Sequence, residues 1–373
     1  MHQPQEIPSL TDEYIEREKQ YGAQNYKPLP VVIQKGKGVH LWDVEGRPYY
    51  DFLAGYSALN QGHCHPRLIS AMQDQAQKLT LTSRAFHNDV LGEFCAYLSD
   101  TFGYQKNNFH GRTLAAVSAS TDSESRGGFG PYVEGFEKIP FNDVKALESA
   151  LIADPNISAY LFEPIQGEAG VVVPDDGYLQ KVRQLCTKHN VLMIADEVQT
   201  GLGWTGKMLA CDHENVRPDI VMLGKALSGG IYPVSAVLAD DHIMLNIKPG
   251  QHGSTYGGNP LACKLAIEAL QIIKDEKLAE HAKEMGIVFR RELKRLPRKV
   301  VTQVRGKGLL FSIVINPRVD AWQVCLKLKE NGILAKNTHG DIIRFAPPLT
   351  IAENQVREAS QLIIETMHSF VNW

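Results

Sequence analysis

The chain has 373 residues, 43% of them hydrophobic and 22% charged, with a formal net charge of −3. That length holds two subdomains around an ample core, and the slightly acidic balance argues against a nucleic-acid partner. No apolar run approaches the roughly 18 residues of a membrane span, and the six cysteines form no C-x-x-C pair, so neither a disulfide framework nor a structural zinc is expected.

The opening stretch MHQPQEIPSLTDEYIEREKQ is acidic and lacks an apolar core, unlike a secretory leader. It also lacks the arginine-rich, acid-poor character of a mitochondrial transit peptide. The expected location is cytoplasmic, or the mitochondrial matrix if a transit peptide has been removed. Ser9 and Asp12 form an S-x-x-D capping box before a helix over 11–20. NYKPLP is an extended loop set by its prolines, and by pattern alone its Tyr26 is a packed aromatic. Strands are expected at 31–34, 38–42 and 49–52, with Glu45-Gly46 as a turn. Gly55-Tyr56-Ser57 leads into Gly62-His-Cys-His-Pro66. Three adjacent side chains point in different directions, which speaks against a metal there, and Pro66 suits the first turn of a helix. That helix carries Leu68, Met72 and Leu79 on one side. The next has Val90, Leu91, Phe94, Cys95, Leu98 and Phe102 at core spacing.

Helices at 143–152 and 178–189 flank the strand in ISAYLFEP, and the alternation of strand and helix indicates a parallel sheet. Glu163 and Glu168 stand at and beyond that strand's end. Two such carboxylates suit general acid–base work, and a solvated loop acid is an equal reading of Glu168.

The stretch 191–230 organises the rest. Its apolar runs 191–195 and 220–223 read as strands buried on both faces. The first ends in Asp196 and the second in Gly224-Lys225, so a carboxylate and an amine share the rim where ligands sit in open α/β sheets. A lysine on an apolar strand end is poorly solvated, which favours its neutral, nucleophilic form. A neutral amine condenses with an aldehyde, and a buried carboxylate needs a cationic partner; pyridoxal phosphate (PLP) supplies both. Spacing alone leaves open an ordinary strand-end aspartate and an exposed lysine. Gly201-Leu-Gly-Trp-Thr-Gly206 fits G-x-G-x-x-G, but no clear helix follows and the second strand ends in a lysine, not an acid. The same glycines with Lys207 mimic a P-loop, yet Met208 stands where magnesium needs a hydroxyl.

A strand is expected at 232–238. Gly253-Ser-Thr-Tyr-Gly-Gly258 is a hydroxyl-rich loop able to hold an anion. Helices near 260–275 and 277–296, strands at 300–305 and 309–315, then a helix, two short strands and a last helix from about 352 make a smaller α+β unit. Arg344 lies in the apolar strand IIRFAP and needs a carboxylate, from the protein or from a substrate.

EPIQGEAGVVVP, IADEVQTGLGWTG, RPDIVMLGKALSGG and GSTYGGNPLAC together resemble the class III PLP-dependent aminotransferases. NYKPLPVV, LTLTSRAF and NTHGDIIRFAPPL resemble its ornithine-using branch, and the similarity covers nearly the whole chain. The resemblance implies PLP fold type I, an α/β fold with a mostly parallel central sheet and a smaller α+β domain. It implies an N-terminal segment (1–48) packing with the small domain, a large PLP-binding domain (49–270) and a small domain (271–373). The implied reaction carries the δ-amino group of L-ornithine to 2-oxoglutarate; acetylornithine or 4-aminobutyrate chemistry, or an impaired variant, are the alternatives. In the implied site Lys225 holds PLP and moves a proton. Asp196 holds the ring nitrogen, Gln199 meets the ring hydroxyl and Phe109 covers one ring face. Ser254 and Thr255 reach across a homodimer to the partner's cofactor phosphate. Tyr26, Tyr56, Arg112, Glu168 and Arg344 bind substrate, and no metal, nucleic acid or membrane is involved. One departure stands out: FGYQK runs directly into NNFHGRT, so a family segment with a strand, a phosphate-binding Thr-Gly turn, a helix and another strand is missing between Lys106 and Asn107.

Overall fold

The computed structural model describes residues 9–22, 27–108, 114–120, 128 and 130–371. In chain order its strands are β1 (Ile33–Lys37), β2 (His40–Asp43), β3 (Pro48–Asp51), β4 (Lys106–Asn108), β5 (Ala159–Phe162), β6 (Leu192–Asp196), β7 (Ile220–Leu223), β8 (Ala236–Ala239), β9 (Val301–Lys307), β10 (Leu310–Ile315), β11 (Ile333–Leu334), β12 (Lys336–Thr338) and β13 (Ile342–Phe345). They form a central sheet in the order β4-β8-β7-β6-β5, a sheet β1-β2-β3-β11 and a sheet β12-β13-β10-β9. Strands β5, β6 and β7 are parallel, and β8 runs antiparallel to both of its neighbours. The parallel register sets Phe162 beside Ala195 and Asp196 beside Met222, so the residues that follow these strands share one rim.

Local signals explain most boundaries. Ser9 caps the helix Leu10–Tyr21, and the capping box with Asp12 closes in both directions. Pro66 opens the helix Pro66–Lys78, which buries Leu68; Leu79 falls past its end and is exposed. Asn88 caps the helix Asp89–Phe102, which buries Val90, Phe94 and Leu98. The helices Val144–Ala153 and Tyr178–Lys188 close a second apolar cluster around Phe162, Val182 and Met193. The strand expected from 232 begins only at Ala236. Pro233 has no N–H to give a ladder, and Tyr232 N is taken by Ser228 Oγ. Beyond β10 three short strands form where two were expected, with β11 joining β3. The long helices Pro260–Asp275, Leu278–Leu293 and Glu353–His368 pack their apolar faces into the main core.

The G-x-G-x-x-G run is a packed turn. Trp204 is fully buried and its carbonyl accepts from Leu309 N, while side chains added at Gly203 or Gly206 would meet Leu349 or Lys283. In the His-Cys-His run His63 Nε2 bonds Asp51 at 2.7 Å, His65 Nε2 bonds Glu276 at 3.1 Å, and Cys64 is exposed. Among the described residues no cluster suits a metal ion and no helix is long and apolar enough to cross a membrane.

The central sheet ends abruptly at β5. Among the described residues no strand pairs with its outer edge, and a groove of about 1040 Å³ runs beside it, lined by Phe136, Phe141, Leu147, Tyr160 and Leu161. Segment 157–162 carries no charge and no proline, the features by which edges resist pairing with another chain. Leu161 is 45% exposed there. Leu161→Lys should shift stability by less than about 0.5 kcal/mol and raise the protein concentration at which light scattering begins. Unchanged scattering would mean that aggregation, if any, starts elsewhere.

Candidate active site

Three strand ends meet at the rim. Asp196 closes β6, and its Oδ1 accepts from Val198 N at 3.0 Å, which fixes the carboxylate across the turn. Lys225 follows Gly224 at the end of β7 and opens a single 3₁₀ turn to Ser228. Its backbone sits at φ 43°, a left-handed conformation that costs a lysine of order 1–3 kcal/mol and persists at functional sites. Burial pushes the Lys225 amine below its ordinary range, and the Arg344 guanidinium pushes it further, against the pull of Glu168, Glu163 and Asp196. The lowered value leaves more of the amine neutral, as Schiff-base chemistry requires.

Gln199 is buried, with Nε2 reaching the Tyr56 carbonyl at 3.4 Å. Gly167 lies against it: a β-carbon at 167 would fall 1.9 Å from Gln199 Oε1, so any larger residue there displaces the Gln199 amide. Tyr56 itself sits in a left-handed turn in which Ala54, Tyr56 and Ser57 all have positive φ, at 46°, 60° and 67°. Asp51 holds that turn. Its Oδ1 accepts from Leu53 N at 2.9 Å and Ala54 N at 2.8 Å, while Oδ2 is held by His63. Neither Asp51 nor His63 was expected to serve the site. The strain at Tyr56 is invisible in a sequence whose signal for left-handed backbone is glycine.

Arg344, on β13, is 1% exposed and faces this cluster. Its guanidinium lies 5.1 Å from the Tyr56 ring centroid, within cation–π range. Nη1 pairs with Glu168 Oε2 at 3.0 Å, and Thr338 Oγ1 lies 3.4 Å from Glu168 Oε1. The pair is lopsided: the arginine side chain is 2% exposed and the glutamate 56%. Arg344 Nε and Nη2 are buried with no hydrogen-bond partner. Buried unsatisfied donors cost about 1–3 kcal/mol each, so these two N–H groups are suited to an anion. Its need for a carboxylate is thus met by the protein and left open to a substrate.

The structure therefore joins Lys225, Asp196, Gln199, Tyr56, Glu168 and Arg344. Tyr26, Phe109 and Arg112 lie outside the described residues. Ser254 and Thr255 stand in a loop before Pro260–Asp275; Thr255 is exposed, and Ser254 Oγ accepts from Gly257 N at 3.0 Å. Thr338 is a site residue the sequence did not single out, since nothing local ties it to a carboxylate 170 positions away. The donor set suits PLP at its ring and aldehyde: a fixed carboxylate for the ring nitrogen, an amide for the hydroxyl, and a desolvated amine.

The family model described as aminotransferase class-III matches residues 21–107 and 104–367. The break between the two matches falls where the missing segment was inferred. The rat mitochondrial ornithine aminotransferase is 58% identical over 402 aligned positions, covering 96% of this chain and 91% of that protein. The aligned length exceeds the 373 residues of the chain, so the relative carries positions this chain lacks. Among solved structures, the ornithine aminotransferase of Toxoplasma gondii ME49 superposes with a TM-score of 0.95 at 45% identity, covering 97% of this chain and 96% of that one. The acetylornithine aminotransferase of Elizabethkingia anophelis gives 0.90 at 51% identity, covering 97% and 100%.

Proposed function

The chain belongs to the class-III aminotransferases, and on that premise we propose that it moves the δ-amino group of L-ornithine to 2-oxoglutarate, giving glutamate 5-semialdehyde and L-glutamate. The Glu168–Arg344 pair carries this reading. Glutamate and 2-oxoglutarate bring an α-carboxylate next to the reacting carbon and need a buried cation there. Ornithine reacting at its δ-carbon brings only methylenes to that spot, so the same cation must be neutralised. A half-exposed carboxylate on a buried arginine does both, because Glu168 can turn to water when a substrate carboxylate takes its place on Arg344.

PLP, when bound, supplies an aldehyde for an amine and a ring that takes up the electron pair left as the substrate carbon loses its proton. The chain's own residues do the rest. Lys225 Nζ holds the cofactor and, once displaced, carries a proton to and from the substrate carbon. Asp196 would hold the protonated ring nitrogen and Gln199 the ring hydroxyl, and the family resemblance gives Phe109 a ring face. Ornithine's α-carboxylate would go to Arg112 and its α-amine to Tyr26, with Tyr56, stacked against Arg344, as a further substrate contact. Thr255, exposed in one chain, and the half-buried Ser254 beside it would reach the phosphate in a partner subunit, so the working form is a homodimer. We extend to this chain the mitochondrial location in the rat relative's name. The test is to compare half-reactions with L-ornithine, N-acetylornithine and 4-aminobutyrate. Ornithine should react fastest; a faster reaction with either competitor overturns the assignment.

Glu168→Ala should free Arg344 and raise the rate of the glutamate half-reaction relative to the ornithine half-reaction. One charge-assisted hydrogen bond is worth about 1.5–3 kcal/mol, so a change of roughly tenfold or more in that ratio is expected. An unchanged ratio in single-turnover measurements rules out the switch.

A further inference from the structure

Glu163 is a carboxylate of the rim to which the reaction above gives no task. It follows Phe162 at the end of β5, in register with Asp196 on β6 and one strand further from Lys225 beyond β7. Its Oε1 accepts from Gly167 N at 3.1 Å. Gly167 is the residue pressed against Gln199, and Glu168, the partner of Arg344, comes next. One backbone hydrogen bond thus ties the turn that seats both the ring-hydroxyl contact and the substrate switch.

The surroundings of Glu163 also set its charge. Burial pushes its carboxyl up to about 7, with Asp196 and Glu168 adding to the rise, while Gly167 N–H and Lys225 pull the other way. From its side, Lys225 faces Arg344, which disfavours its cation, and Glu168, Glu163 and Asp196, which favour it. Among these carboxylates Asp196 is held by Val198 N and Glu168 by Arg344. Among the described residues Glu163 has no cationic side chain hydrogen-bonded to it, only the Gly167 N–H.

We propose that Glu163 is a positioning residue of this reaction: its carboxyl anchors the turn through Gly167 N–H and, when ionised, keeps the proton on Lys225 Nζ. The inference rests on Lys225 being the reactive amine. Ionised Glu163 stabilises the lysine cation, so the amine becomes neutral at a higher pH than it would beside a neutral side chain. Glutamine keeps an oxygen for Gly167 N and removes the charge; alanine removes both.

The test uses the apo-protein and acetic anhydride, which acylates only neutral amines, with peptide mapping of Lys225 and of the exposed Lys188 as internal reference. In Glu163→Gln the midpoint of Lys225 labelling should fall by roughly one pH unit, with Lys188 unmoved. Glu163→Ala should also speed hydrogen exchange at the Gly167 amide, which Glu163→Gln should preserve. Identical Lys225 midpoints in wild type and Glu163→Gln overturn the charge role, and unchanged exchange in Glu163→Ala overturns the anchoring role. A wild-type Lys225 that labels no earlier than Lys188 would instead remove the assignment of Lys225 as the reactive amine, and this inference with it.

Discussion

Lys225→Ala is expected to abolish the borohydride-reducible link between the chain and PLP and to reduce transamination to background. Lys225 is the amine placed at the rim beside Asp196, and its value is lowered by burial and by Arg344. Loss of general acid–base catalysis alone costs roughly 10²–10⁴-fold in rate, and the covalent anchoring of the cofactor is lost as well. Stability should move the other way. The substitution removes a desolvated amine from a half-buried site and keeps the same strained backbone at φ 43°, so the apo-protein should unfold at no lower temperature than wild type. A mutant that retains the reducible link at wild-type level would show that another lysine holds the cofactor. A mutant that fails to fold would contradict the burial argument.

The rim was legible because each of its parts ends an apolar run. Asp196 ends and Lys225 follows two short apolar strands in which buried and half-buried residues alternate, where burial on both faces was expected, and in an open parallel sheet such ends converge. Arg344 was legible as a need: a cation among Ile342, Ile343 and Phe345 must meet an anion. Its partner was not legible from pattern, since Glu168 lies 176 positions earlier and came only from the family resemblance. The support of Tyr56 was hidden for a different reason. Its left-handed turn is held by Asp51 and His63, and no residue of that turn except Gly55 advertises positive φ. The late start of β8 shows a local rule overruling an apolar run, because Pro233 cannot donate. Strand order is the least local property of all. The sequence showed a missing segment, and only the sheet showed that β5 is left as an edge.

Made as this sequence stands, the chain is expected to bind PLP about 10²–10⁴-fold more weakly than a version with the relatives' segment restored. The phosphate is a dianion that needs several donors. The family resemblance places some of them on a Thr-Gly turn opening a helix, within the segment absent between Lys106 and Asn107. Hydrogen bonds to charged groups contribute about 1.5–3 kcal/mol each, so losing two costs ~3–6 kcal/mol. On the proposed roles, the donors left are Ser254 and Thr255 of a partner subunit, with Lys225 at the other end of the cofactor. The β5 edge and its groove are open in this chain, and on the expectation that the restored strand pairs there, restoring the segment should lower aggregation and raise affinity together, whereas Leu161→Lys should lower aggregation alone. Titrating PLP into both apo-proteins and following the visible absorbance of the bound cofactor separates the two effects. Equal affinities would place the phosphate on donors this chain still has, and aggregation that persists after restoration would move its cause away from the edge of the sheet.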